Sequence, residues 1–242
     1  MKAMIFAAGL GTRLRPHTND KPKAMVTVNG MPLLEIAIRR LKKFGFRQIV
    51  VNVHHFAHLI EDFIHANDAF GIDIIISDER ELLLETGGGL KKAAPFFGNE
   101  PFLVCNTDIL NDLDLKAFYE FHQQSNAIAT LAVRNRNTSR YLIFNQKKQL
   151  VGWRNVKTEE EKWSRFAKIY EDWAFSGIHV IDPKIFTFMP DKAVFSIIDV
   201  YLEAARTEII QAFPHNYSIW LDVGKPNALE EANQLLPKIE ID

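Results

Sequence analysis

Cysteine is almost missing. Cys105 stands alone in 242 residues, so no internal disulfide can form, and a reducing, cytoplasmic setting fits. A charge excess is missing too: 29 Lys and Arg face 30 Asp and Glu, for a net charge of -1. A general nucleic-acid or membrane-surface partner would want a basic excess, so neither is expected. No apolar run approaches the roughly 20 residues of a membrane span. The N-terminus enters a short apolar segment without a cleavage-site pattern, so no signal peptide is expected. Proline- or serine-rich linkers, low-complexity tracts and internal repeats are absent. What is left is an ordinary globular composition, 47% hydrophobic, enough to bury a sizeable α/β core.

The first half of the chain alternates. Residues 1–8, 47–53, 72–77, 101–108 and 128–133 read as short apolar strands. Between them, 32–45, 58–68, 86–97 and 113–124 carry apolar residues at helical spacing, the first stopped by Gly45 and the third cut short by Pro95. Strand, helix, strand in this order predicts a mostly parallel sheet covered on both faces. After about Val133 the rhythm changes. A hairpin is expected over 141–153, a solvated charged loop over 158–163, strands over 172–181 and 217–224, and helices over 196–207 and 229–236. One domain with a substrate-binding second half is expected.

The first strand runs into Ala7-Ala8-Gly9-Leu10-Gly11-Thr12-Arg13-Leu14. A dinucleotide fingerprint would need a third glycine where Leu14 stands, and an ATPase phosphate loop would end in Gly-Lys-Ser/Thr, a triplet this chain lacks. Two glycines alone would mean no more than a tight turn. The flanking charges point further. Glycine lets backbone N–H groups approach an anion closely. Arg13 and Arg15 offer guanidinium forks to phosphate oxygens, and Lys21 and Lys23 bracket Pro22. So much positive charge suits a polyphosphate.

With Lys21-Pro22-Lys23-Ala24-Met25-Val26 and Gly30-Met31-Pro32-Leu33, this loop resembles the signature of the sugar-1-phosphate nucleotidyltransferases. The resemblance continues through Leu84-Glu85-Thr86-Gly87-Gly88-Gly89, Asn106-Thr107-Asp108, Phe175-Ser176-Gly177 and Trp220-Leu221-Asp222-Val223-Gly224, and so covers nearly the whole chain. It implies a Rossmann-like three-layer α/β/α sandwich with a mostly parallel mixed sheet. It also implies a reaction: a nucleoside triphosphate (NTP) and a sugar-1-phosphate combine with release of pyrophosphate, with Mg2+ as cofactor. The chain is similar to the compact single-domain members, as a monomer or small homo-oligomer. Residues of about 1–133 would form the nucleotide-binding half and about 134–242 the sugar-binding half. The segment Leu84 to Gly89 resembles the branch that transfers uridylyl to N-acetylmuramate-1-phosphate, where many relatives read Leu-Gly-Thr-Ala-Gly. Thr27, Lys225 and Thr107 depart from the usual pattern without removing a charged group.

The resemblance implies roles for residues. Arg13 and Lys23 would be catalytic, Arg13 on the departing pyrophosphate and Lys23 between the α-phosphate and the incoming phosphate. Ala8, Gly9, Gly11, Thr12, Glu85, Thr86, Gly87 and Gly88 would bind the nucleotide. For Thr86 and the glycines the plain alternatives are a helix N-cap and a tight turn; for Glu85 it is orienting the loop. Asn106, Glu171, Ser176 and Gly177 would bind the sugar. Asp108 and Asp222 each end a predicted strand, where ligands of open α/β sheets sit, and their carboxylates suit Mg2+; capping and turn roles are the alternative. His54, His55 and His58 fit a polar surface better than a zinc site, although His54 follows a strand's carboxyl end. Cys105 reads as an inert buried thiol. Phe56, Phe63, Phe70, Phe96 and Phe97 read as core. Guanylyl transfer to mannose- or heptose-1-phosphate is the alternative reaction. A catalytically silent nucleotide-sensing subunit is the alternative class, and it would be expected to have lost Arg13, Lys23, Asp108 or Asp222.

Overall fold

The computed structural model describes residues 1–241. Its strands are β1 (Lys2–Phe6), β2 (Thr27–Val28), β3 (Met31–Pro32), β4 (Gln48–Val53), β5 (Asp73–Asp78), β6 (Phe102–Asn106), β7 (Ile109–Asn111), β8 (Ala129–Arg134), β9 (Arg140–Asn145), β10 (Leu150–Asn155), β11 (Glu160–Trp163), β12 (Tyr170–Ile181), β13 (Ile210–Pro214) and β14 (Trp220–Asp222). Its α-helices are α1 (Leu33–Lys43), α2 (Ala57–Ala66), α3 (Glu85–Ala93), α4 (Leu115–Gln123), α5 (Ile197–Ala204) and α6 (Asn227–Leu235). No described helix is long and apolar enough to cross a membrane. The fold is α/β with a mixed sheet, as the strand and helix order predicts. The chain divides into two compact units, neither of them continuous in sequence.

The first unit comprises residues 1–84, 104–116 and 218–242. Its β1, β4 and β5 are parallel, in a register that sets Met4 beside Val50 and Val50 beside Ile75. Such strands are covered on both faces, which is why β1 and β4 read as continuous apolar runs. All point their carboxyl ends the same way, so the loops after Phe6, Val53 and Asp78 emerge along one edge. Helix α1 buries Leu33, Leu34, Ile36, Ile38 and Leu41 and ends at Gly45, whose φ of 84° lies in the left-handed region glycine tolerates. Its Arg40 is only 4% exposed and donates to the carbonyls of Leu113 and Glu240 at 2.7 and 3.0 Å. Burial lowers its pKa to about 10, which still leaves it charged at neutral pH.

Here the observed elements depart from the expected ones. The strand predicted over 217–224 shortens to β14, which pairs with β7 in a separate antiparallel ribbon. The predicted strand over 101–108 ends at Asn106, and Thr107-Asp108 is a turn leading into β7. Of the five phenylalanines assigned to the core, Phe97 is fully buried, while Phe56, Phe63, Phe70 and Phe96 are half-buried.

The second unit comprises residues 85–103 and 117–217. It is mostly antiparallel: β8 with β12, β12 with β9, β9 with β10 and β10 with β11, while β13 joins β8 in parallel. The register of β12 against β8 shifts between Phe175 and His179, and Gly177 takes a φ of 75° in that bulge. The charged segment 158–163, expected as a solvated loop, contains β11. All four residues of that strand are exposed, so the backbone pairing with β10 leaves no apolar trace in the sequence.

Candidate active site

One core cluster of the first unit sets the positions of its charged residues. Leu14, Val26, Leu33, Ile36, Leu110, Val223, Ala232 and Leu236 pack together, each 6% exposed or less. Arg13 precedes Leu14, Lys23 lies in the turn before Val26, Asp108 lies two residues before Leu110, and Asp222 precedes Val223. Burying each large apolar side chain contributes about 1.5–3 kcal/mol. The same burial therefore fixes the four charges from four separate stretches of chain.

The glycine loop is held from below. Gly11 takes a φ of 64°, and its carbonyl accepts from Leu14 N–H and the Thr18 hydroxyl, both at 2.9 Å. A Cβ at Gly11 would come within 3.0 Å of both Lys23 Cβ and Thr18 Cγ2, so glycine is required twice over. Gly9 has open space above it. The N–H groups of Ala7 and Ala8 are bound by the Oδ1 of Asn52, at 2.7 and 3.3 Å. Ala8 therefore spends its N–H inward, and the loop from Gly9 onward is the part that faces outward. Arg13 and Thr12 are exposed, and among the described residues no carboxylate ion-pairs with Arg13, Arg15 or Lys21.

The two aspartates meet across the small ribbon. Asp222 is the register partner of Ile109, and Val223 N–H donates to the Asp108 carbonyl at 2.9 Å. Asp108 also forms an ion pair with the Nζ of Lys23, with both side chains largely buried. At Gly224 a Cβ would lie 2.5 Å from Asp222 Oδ1 and 3.0 Å from Arg13 Nη2. The carboxylate of Asp222 and the guanidinium of Arg13 thus flank the same glycine. No group of three or more His, Cys, Asp or Glu side chains able to hold a metal occurs among the described residues. A pair of carboxylates nevertheless fits Mg2+, which is usually held by one or two carboxylates together with substrate phosphates and water. Asp108 and Asp222 are the residues that would hold it.

The remaining candidates differ in exposure and partners. Asn106 is half-buried at the end of β6 in the first unit. His54, at the end of β4, donates from Nδ1 to the Glu79 carbonyl at 2.7 Å. His55 and His58 are exposed, as a polar surface predicts. Burial pushes the Cys105 thiol up to about 12, which makes it inert.

In the second unit, Gly87 and Gly88 direct their N–H groups to the carbonyl of Phe195, at 2.8 and 3.3 Å. A Cβ at Gly87 would overlap the Phe195 ring, 2.6 Å from its Cε2, and lie 2.8 Å from its carbonyl oxygen. Gly87 thus packs closely on Phe195, and the N–H groups of both glycines are committed to its carbonyl. Thr86 Oγ1 accepts from Ile197 N–H at 3.0 Å, so Thr86 caps α5. Glu85 is exposed with a φ of 59°. Ser176 is fully buried with its hydroxyl 2.6 Å from His215 Nε2, so that hydroxyl is committed to a core histidine. Glu171 is exposed and paired with Lys148 at 2.5 Å, and that lysine lowers its pKa. Glu171 and Ser176 stand five positions apart along β12, about 16 Å.

A family profile described as nucleotidyl transferase matches residues 2–239. The chain belongs to the nucleotidyl transferase family. It is 32% identical to an N-acetylmuramate alpha-1-phosphate uridylyltransferase of Neisseria meningitidis over 241 residues, covering 97% of this chain and 98% of the relative. It is 35% identical over 237 residues to the enzyme of the same description from Caulobacter vibrioides, covering 93% of each. Among solved structures, HddC of Yersinia pseudotuberculosis in complex with GMP-PN superimposes with a TM-score of 0.78 at 24% identity, over 97% of this chain and 99% of that one. This last likeness is one of fold. Two buried polar residues beside the glycine loop, Asn52 and Glu79, have no signal in the sequence. A polar residue inside a strand and an acid in a charged turn carry no motif.

Proposed function

We propose that this enzyme transfers a uridylyl group from UTP to N-acetylmuramate-1-phosphate, or to a closely similar sugar-1-phosphate, and releases pyrophosphate. A sugar-phosphate oxygen attacks the α-phosphorus; the new O–P bond forms as the bond to the β-phosphate oxygen breaks, and the electron pair leaves with pyrophosphate. Attacking group and target are both anions, so the protein's work is to neutralise charge and to hold the two in line. Arg13, an exposed cation that no carboxylate among the described residues pairs, stabilises the charge that grows on pyrophosphate. Lys23 orients the α-phosphate and the incoming phosphate. Mg2+, held by Asp108 and Asp222, would supply further charge compensation at phosphate oxygens. No proton has to be moved by a side chain, and no covalent intermediate is needed.

The observation that carries this reading is the placement of Arg13 and Asp222 on either side of Gly224 with Lys23 on Asp108, which puts two cations and two carboxylates at one edge of the first unit. The uridylyl and sugar assignments lean on the full-length similarity to the two uridylyltransferases. A free Cys105 suits a reducing cytoplasm, where such a reaction would serve cell-wall recycling. The test is pyrophosphate release over four triphosphates and a panel of sugar-1-phosphates. UTP with N-acetylmuramate-1-phosphate should give the highest kcat/KM; a preference for GTP with mannose-1-phosphate would overturn the uridylyl reading.

A further inference from the structure

Glu79 is a carboxylate only 1% exposed, and every polar group it carries is committed. Its N–H donates to the Val53 carbonyl at 2.8 Å, and its own carbonyl accepts from His54 Nδ1. Oε1 accepts from Asn52 Nδ2 at 2.8 Å, and Oε2 accepts from Leu84 N–H at 3.2 Å. Asn52, 3% exposed, turns its Oδ1 to the N–H groups of Ala7 and Ala8. The orientation of the Asn52 amide is therefore fixed. Turning it over would set N–H against N–H at the loop and oxygen against oxygen at Glu79.

Burying a carboxylate is costly unless donors surround it, and hydrogen bonds to an ionised acceptor are the strong ones. Here the donors come from two places. One is the start of the glycine loop, reached through Asn52. The other is Leu84, the residue directly before Glu85. Both stretches emerge at the carboxyl ends of β1 and β5, and Glu79 itself directly follows β5.

We propose that Asn52 and Glu79 are positioning residues for the nucleotide: one buried carboxylate sets the backbone of Ala7-Ala8 through Asn52 and sets Leu84 directly. Neither side chain is required to touch the ligand. The inference rests on the nucleotidyl-transfer reading above for its functional consequence, though not for its structural content.

Three variants of the full chain test it. In Glu79→Gln one carboxylate oxygen becomes an NH2 group, so either Asn52 or Leu84 loses its acceptor. In Asn52→Asp two carboxylates face each other. The double variant Asn52→Asp with Glu79→Gln restores every bond with the central one reversed: Gln donates to Asp, Asp still accepts from Ala7 and Ala8, and Gln still accepts from Leu84. Amide hydrogen exchange at Ala7, Ala8 and Leu84 needs no nucleotide; it should speed up at all three positions in each single variant and recover in the double. With whichever triphosphate the wild type uses best, each single variant should raise its KM about tenfold or more with a smaller change in kcat, and the double should come back to within about threefold. Faster exchange at one stretch only would overturn the coupling. A lowered melting temperature with KM unchanged, or a double variant no better than the worse single, would reduce both residues to fold stability. A wild type that prefers GTP would sink the uridylyl reading and leave this one standing.

Discussion

Lys23 ion-pairs with Asp108, and the backbone carbonyl of Asp108 accepts from the N–H of Val223, the neighbour of Asp222. A cation and two carboxylates are thereby joined through one turn and one ribbon. If both aspartates hold Mg2+, each is needed for turnover while neither is needed for the fold. Asp108→Asn and Asp222→Asn should each lower kcat by about a hundredfold or more, the scale expected when a charged ligand of a catalytic ion is lost. Pyrophosphate release at limiting Mg2+ checks this, with circular dichroism to show the fold retained. Near-normal rates in either variant would remove that residue from the metal site.

Arg13 and Gly224 give a paired prediction. Arg13→Ala should cost about 3 kcal/mol in the transition state, roughly a hundredfold in kcat, with a smaller effect on triphosphate binding. Gly224→Ala leaves every charge in place and instead drives a methyl group between Asp222 Oδ1 and Arg13 Nη2. It should mimic part of the Arg13 loss. Single-turnover kinetics separate chemistry from binding. A change confined to KM in Arg13→Ala would make Arg13 a binding residue only.

Arg13 and Lys23 were legible because they flank a glycine loop, and Asp108 and Asp222 because each closes or nearly closes an apolar run. Their support was not. Asn52 lies inside an apolar strand and Glu79 in the acidic run Asp78-Glu79-Arg80-Glu81, and nothing local marks either as buried. Ser176 and Gly87 carried motif positions, yet the hydroxyl of one bonds His215 and the missing side chain of the other makes room for Phe195. Motif matching assigns a position without saying which way its atoms point. Strand β11 escaped for a different reason: an edge strand exposed along its length has no burial pattern to betray it.

Three buried histidines of the second unit set an acid limit on stability. Burial lowers the pKa of His122 to about 4, of His179 to about 3 and of His215 to about 4. His122 meets Thr130, with Asp182 acting in the opposite sense; His179 meets Tyr201; His215 meets Ser176, with Arg134 adding to the depression. Each is neutral when folded and takes up a proton when unfolded, below about pH 6.5. Their contribution is complete above that pH and is lost as pH falls from 6.5 toward 4, at about 1.4 kcal/mol per histidine per pH unit. The melting temperature should therefore drop steeply between pH 6.5 and 5. His215→Gln, which can still bond Ser176, should flatten that slope by about a third of the histidine contribution. An unchanged slope would assign the acid sensitivity to other groups.

Glu85 stands in a conformation that favours glycine, with a φ of 59°. For a residue with a side chain the left-handed region costs about 1–2 kcal/mol, part of which is offset because glycine loses more entropy on folding. The described residues give the Glu85 carboxylate no hydrogen bond or ion pair that would repay the strain. A strained, exposed acid that is unpaired among the described residues is a candidate for a contact made only with substrate. Uracil offers one donor, N3–H, between two acceptors, and a carboxylate suits that donor. Cytosine has an acceptor at the same atom and would leave the pair unmade. Glu85→Gly should accordingly do two opposite things. It should raise stability by about 0.5–1 kcal/mol, or some 1–4 °C in melting temperature for a chain of this size. It should also cut the preference for UTP over CTP by about tenfold, a difference of about 1.4 kcal/mol. Thermal melts and kcat/KM ratios for the two triphosphates decide it. A more stable enzyme with unchanged discrimination would show that the carboxylate does not read the base.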